Sequence, residues 1–243
     1  MVATTRTHRG EVRLVLASAS PRRRELLGLL GASYETIASD AEERDDPVPD
    51  TVLAALPPFD LPRATHPSLL AWRKARHAAD LAPGAAILGA DTIVVLGDMV
   101  LNKPRDPGHA CQMLASLSGR THIVYTGICV IASMTNGREP FVALDLVASE
   151  VEVASLSAQV IEDYVATGEP MDKAGAYGIQ GLGGQLVRSV RGSYTAVVGL
   201  PLVQAHRMLS AAGVVGLHSP EDTYRHWLEQ QGKEPLPWPP TRP

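Results

Sequence analysis

The chain has 243 residues, enough for one large domain or two small ones with a substantial core. Its 45% hydrophobic and 20% charged content is that of an ordinary globular protein, and a net charge of −4 gives no basic face for a nucleic-acid polymer. Two cysteines, Cys111 and Cys129, exclude a disulfide framework and form no CxxC pair, no histidine has metal-ligand spacing, and no apolar run approaches the ~18 residues of a membrane span.

Residues 1–11 are polar and read as a flexible tail. Arg6, Arg9 and Arg13 before "LVLASA" imitate a secretion signal. The apolar part, however, is only about four residues against the ~7–15 of a signal core, so a cytoplasmic location is expected. In "LVLASASPRRRELL" (14–27), Leu14 to Leu16 reads as a strand, Ser20 as an N-cap and Pro21 as the first residue of a helix running towards Gly31. Arg22, Arg23 and Arg24 then sit at the positive end of the helix dipole, where each cation is unfavourable by roughly 0.3–1 kcal/mol.

The acidic segment 40–50 leads into Pro57, Pro58, Pro62 and Pro67, and this proline density predicts an extended surface loop or partly disordered insertion over about 45–67. "SLLAWRKARHAADLA" (68–82) is helical in pattern, and "AILGADTIVVLGDMVLNK" (86–103) reads as two strands joined by Gly97-Asp98. Asp106 and Pro107 start a helix that Gly119 closes, with Ala110, Met113, Leu114 and Leu117 on one face. Strands are predicted at 121–133 and 140–153 around the turn "MTNGRE", and a helix from Ala158 to Thr167. A glycine-rich stretch follows, then a helix over 201–212. Residues 213–243 form a C-terminal extension, a short helix capped by Ser219 and then a proline-rich tail. Strands and helices mixed throughout, with no composition break, predict a single α/β domain over 12–212.

Three features carry chemistry. The arginine-bearing helix start is either an exposed basic turn or an anion site, in which free N–H groups, the dipole and guanidinium forks meet a phosphate. Asp91 stands in an otherwise apolar strand, where burying an ionised carboxylate costs several kcal/mol unless a cleft, metal or donor receives it. Asp91 and Thr92 should point to opposite faces, so a bend at Gly89-Ala90 is expected if both serve one site. Lys103, at the end of the hairpin, is either an ion-pair partner for Asp91 or a phosphate contact. The glycine stretch matches neither GxxxxGK[ST] nor GxGxxG. Together these point to metal-assisted hydrolysis of a phosphate ester or anhydride.

The segments "LASASPRRRELL", "EE" (42–43), "GADTIVVLGDMVLNKPRD", "LSGRTHIVYTG" and "GEPMDKAGAYGIQGLGGQLV" through "VVGLPL" resemble, in order, the motifs of the Maf family of nucleoside triphosphate pyrophosphatases. The resemblance spans about 12–212. It implies a single domain of the inosine-triphosphatase-like kind, with a mixed twisted sheet, flanking helices and a central cleft. The implied reaction cleaves between the α and β phosphates, using a divalent metal cation, Mg or Mn. The implied catalytic residues are Asp91 as proton acceptor, Glu43 and Lys103, with Glu43 and Asp91 at the metal. Ser18, Arg23 and Lys74 match phosphate-site positions. Arg22, Thr92 and Gln180 match the positions that distinguish subfamilies, in the form of the dTTP/UTP branch rather than the 7-methyl-GTP branch. Arg73 stands where members commonly carry glutamate, so the Lys74 assignment depends on helix register. The partners implied are a nucleoside triphosphate and a second copy of the chain, with neither nucleic acid nor membrane. Two alternatives stand beside this reading: a nucleotide-binding regulator of cell division or septum formation with weak turnover, and a purine triphosphate pyrophosphatase of the inosine type.

Overall fold

The computed structural model describes residues 12–38, 47–133 and 141–230. Its apolar runs form β1 (Leu14–Ala17), β2 (Tyr34–Thr36), β3 (Ala86–Leu96), β4 (Met99–Leu101), β5 (Thr121–Ala132), β6 (Phe141–Val153) and β7 (Val187–Arg191). They share one mixed, open sheet in the order β2-β1-β3-β5-β6-β7, with β4 on β3. β1 runs parallel to β2 and β3, and the remaining pairs are antiparallel.

The helices are α1 (Pro21–Leu29), α2 (Asp50–Ala54), α3 (Pro67–Leu81), α4 (Pro107–Leu117), α5 (Ala158–Ala166), α6 (Tyr194–Val198), α7 (Leu202–Ala211) and α8 (Pro220–Gln230). They divide between the two faces of the sheet. Leu14, Leu16, Leu88 and Val94 face a large core with α1, α4, α5 and α7, whereas Val15, Ala17 and Ile87 face a smaller one beneath α3. This strict alternation is the period of two expected of a strand covered on both faces.

Local capping chemistry explains the best-predicted helix. The Asp106 side chain accepts the His109 N–H at 2.7 Å and Pro107 opens α4, with Gly119 beyond its end at φ 67°. The β3–β4 turn also agrees, with Gly97 at φ 59°.

The proline-rich segment departs from the extended loop expected of it. α2 forms behind Pro49 and buries Val52 in the smaller core, and a 3₁₀ turn follows at Arg63–Thr65. Pro49 precedes α2, Pro62 precedes the 3₁₀ turn and Pro67 opens α3, positions where a missing N–H is tolerated, while Pro57 and Pro58 lie in the extended stretch between them. His66 caps α3: its Nδ1 accepts the Ser68 N–H at 3.2 Å. β7 and α6 arise within the glycine-rich stretch, for which no element is predicted, α6 being capped by the Ser193 hydroxyl on the Ala196 N–H. The turn at 134–139 lies outside the described residues.

α8 packs on α1. Tyr224, Trp227 and Leu228 are buried against Leu29 and Tyr194, and the Trp227 indole donates to Glu25 Oε1 at 2.9 Å. The extension thereby buttresses the helix that carries the three arginines. No described helix is long and apolar enough to cross a membrane.

Candidate active site

β3 determines where the site lies. One of its edges is paired with β5 from Ala86 to Val95 without a register shift. On the other edge β1 pairs only as far as Gly89, and β4 begins only at Val94. The four residues between them, Ala90 to Ile93, therefore have a bare edge, and a cavity of about 730 Å³ opens there. Its volume is within the range of small-molecule sites.

Asp91 and Thr92 both line this cavity, and the pairing with β5 runs through both without a register shift. Asp91 points to the α3 face and meets Lys74. Thr92 points to the opposite face and meets Thr126 at 2.9 Å and Arg23 at 3.2 Å. A gap in the sheet edge is reachable from both faces, which is why the opposite-face geometry and a shared site are compatible.

The Lys74 ammonium donates to Asp91 Oδ1 at 2.7 Å, with both residues 7% exposed. A carboxylate buried this deeply needs such a partner. The contact also settles the register of "WRKAR": Lys74 points into the cavity floor, whereas Arg73 does not line it. α3 reaches this close because Gly89 and Gly127 leave room for its backbone; a Cβ on Gly89 would collide with the Ala71 carbonyl, and one on Gly127 with Pro67 and Ser68. Lys103 is exposed at the rim and lines the same cavity. The ion-pair partner of Asp91 is thus Lys74, and Lys103 faces the space where a ligand would sit.

The arginines separate by role. Arg23 Nε donates to the Gly199 carbonyl at 2.9 Å, while its terminal nitrogens reach Ser18 Oγ at 3.4 Å and Thr92 Oγ1 at 3.2 Å. Arg22 meets Asp172 at 3.4 Å across the cavity mouth. Arg24 is exposed, lies outside the cavity lining and donates back to the Ala19 carbonyl at 2.9 Å. Ser20 holds the N-cap position of α1 with no side-chain capping bond, so no side-chain cap claims the first-turn N–H groups at the cavity wall. The cationic first turn of α1 thus forms one wall of the cavity.

The opposite wall is formed by Asp172, Lys173, Tyr177, Ile179 and Gln180. Burial alone would raise the Asp172 carboxyl, but the Lys173 hydrogen bond and charge and the Arg22 guanidinium outweigh it and hold it below its usual range. Tyr177 is held from behind: its hydroxyl bonds His122 Nε2 at 2.9 Å, and burial lowers the His122 ring to about 4. Ala176 before it is the only non-glycine with positive φ among the described residues, at 59°. Such backbone strain persists where surrounding structure enforces it. Asp172, Tyr177 and Ile179 were not singled out by sequence reasoning, although all three fall within the quoted "GEPMDKAGAYGIQ" motif.

Of the sequence-predicted residues, Ser18, Arg22, Arg23, Lys74, Asp91, Thr92, Lys103 and Gln180 converge on this one cavity. Glu43 lies outside the described residues. No group of three or more His, Cys, Asp or Glu side chains suited to a metal occurs among the described residues. The cavity carboxylates there are Asp91 and Asp172, and Asp172 is engaged by Arg22 and Lys173. A hard divalent cation that keeps several waters and takes one or two carboxylates plus phosphate oxygens fits this donor set.

The Maf-like protein family model matches residues 13–212. A dTTP/UTP pyrophosphatase of Anaeromyxobacter dehalogenans is 49% identical over 83% of this chain and 94% of its own. Proteins of the same name from Yersinia pestis and Escherichia coli O157:H7 are 48% and 47% identical, each over 81% of this chain and 91% of theirs. The segment matched encloses every side chain of the cavity described above, and the chain belongs to the Maf family.

Proposed function

We propose that this protein hydrolyses dTTP and UTP to the monophosphate and pyrophosphate, clearing the nucleotide pool of pyrimidine triphosphates. The observation that carries the reading is the joining, in one cavity, of a buried Asp91–Lys74 pair with a cationic helix start. The name shared by the relatives supplies the substrate.

In this reading the phosphates lie against the first turn of α1, where Ser18, Arg23 and the helix N–H groups receive their oxygens and Lys103 closes the rim. Asp91 accepts the proton of the attacking water, and Lys74 fixes the orientation of its carboxylate. Asp91 and Glu43 would hold a divalent cation, which when bound supplies charge neutralisation on the phosphate oxygens. Thr92, Gln180 and Arg22 select the base, Thr92 and Gln180 by hydrogen bonds to a neutral pyrimidine edge. A homodimer belongs to the same reading and rests on the resemblance alone. The test is a panel of triphosphates incubated with magnesium or manganese: dTTP and UTP should release pyrophosphate, and release of orthophosphate, or preference for inosine triphosphate, would reject the proposal.

A further inference from the structure

The stretch "GIQGLGG" (178–184) has the composition of backbone that approaches a ligand closely. The group it approaches is internal. Glu169 Oε2 accepts the Leu182 N–H at 2.9 Å, and Oε1 accepts the Gly183 N–H at 3.1 Å and the Tyr164 hydroxyl at 2.9 Å. The Tyr164 hydroxyl in turn accepts the Gly178 N–H at 3.1 Å. A Cβ on Gly181 would fall 2.5 Å from Glu169 Oε2, and one on Gly183 would fall 2.5 Å from the Tyr164 hydroxyl oxygen. The glycines are therefore what lets this loop wrap around a carboxylate and its phenol bridge.

Between the two anchored ends stand Ile179 and Gln180, both in the cavity wall, whereas Glu169 and Tyr164 do not line the cavity. The Ile179 carbonyl is pinned separately by the Tyr194 hydroxyl at 3.2 Å. We propose that Glu169 is the positioning residue for base selection: its carboxylate, through Leu182, Gly183 and the Tyr164 bridge to Gly178, fixes the loop that presents Gln180. This rests on the pyrimidine reading of Gln180 given above. Burial alone would raise the Glu169 carboxyl, but the backbone N–H groups, the Tyr164 hydroxyl and the Lys173 charge outweigh it and hold it below its usual range. The anchor is thus an anion throughout the neutral range.

The test compares wild type with Glu169→Gln, Tyr164→Phe, Gln180→Ala and the double variant Glu169→Gln/Gln180→Ala. Glutamine keeps the shape but turns an N–H₂ towards a backbone donor. KM for dTTP should rise about tenfold or more while kcat changes less than about twofold, the signature of lost uniform binding. Amide exchange at Leu182 and Gly183 should quicken while β5 is unchanged. In the Gln180→Ala background the KM effect of Glu169→Gln should largely vanish, since the two act as one unit. Unchanged exchange, or a KM effect that simply adds to that of Gln180→Ala, would overturn the proposal. If Glu169→Gln does not fold, Tyr164→Phe, which deletes only the bridge to Gly178, carries the same expectations for KM and for Gly178 exchange, and the same refutation. A wild-type protein inert on dTTP and UTP would refute the substrate reading, and the exchange measurements would still decide the anchoring.

Discussion

Gly89→Ala is the substitution that most sharply separates site geometry from stability. The added methyl would meet the Ala71 carbonyl and stand 3.0 Å from Ala75 Cβ, both on α3 and neither able to swing away. α3 must move off the sheet or β3 must sink, and overpacking of this kind costs roughly 1–3 kcal/mol. Lys74 lies between those two contacts on the same helix, and its 2.7 Å bond to Asp91 is made from that turn. A displacement of order 1 Å at reacting groups can cost on the order of a hundredfold in rate. The expected result is a lower denaturation midpoint with an unchanged m-value, together with a kcat for pyrophosphate release reduced at least about thirtyfold, within that same geometric argument. Gly84→Ala is the control: Gly84 has φ 80° and nothing within 4 Å of a Cβ, so it should lose roughly 1 kcal/mol to backbone strain and keep full activity. Wild-type activity in Gly89→Ala, or equal activity losses in the two variants, would refute the argument that the α3–β3 approach sets the Lys74–Asp91 geometry.

Lys74→Met removes the ammonium beside a buried carboxylate and should cost about 3–5 kcal/mol and all turnover; Lys74→Met/Asp91→Leu should recover most of that stability in urea titrations and none of the activity. His122 is lowered from 6.5 to about 4 by burial, so the unfolded chain binds the proton first. Unfolding free energy should therefore fall by up to about 3 kcal/mol as pH drops from 6.5 to 4, and His122→Phe should flatten that slope. Trp227→Ala should lower the melting temperature through a loss of up to about 3 kcal/mol, because its indole is buried against α1 and bonds Glu25. Gln180→Glu should reduce dTTP and UTP turnover relative to wild type in the same pyrophosphate assay, by adding charge to the cavity wall proposed to meet a neutral base.

What was legible in the chain was local. The Asp106-Pro107 cap, the Gly97-Asp98 turn and the Pro21 helix start each depend on a few neighbouring residues, and each formed where its chemistry placed it. The cationic first turn of α1 was readable as an anomaly of helix electrostatics, and the structure gives it a cavity wall. The rest depended on distant packing. No spacing rule reports that Lys74, 17 residues before Asp91, meets it across a helix–strand contact licensed by Gly89 and Gly127. Asp91 and Thr92 do point to opposite faces, and the edge gap between β1 and β4, a property of sheet topology, is open to both. "VRSVR" does not alternate, its two valines being three residues apart across a register shift opposite Glu152 and Val153, so its strand was not legible from period, and Ser193 caps α6 from within a glycine-rich context. Those glycines serve an internal carboxylate rather than a phosphate loop.

In the proposed reaction Asp91, on the bare edge of β3, is the proton acceptor of a pyrophosphate-releasing hydrolysis. The direct measurement is dTTP turnover and dTTP binding by Asp91→Asn in the presence of magnesium, beside wild type. Asparagine keeps the size of the side chain and removes the base. Pyrophosphate release should fall by at least about two orders of magnitude, as for loss of a general base, while dTTP still binds at the first turn of α1. Turnover equal to wild type would contradict it.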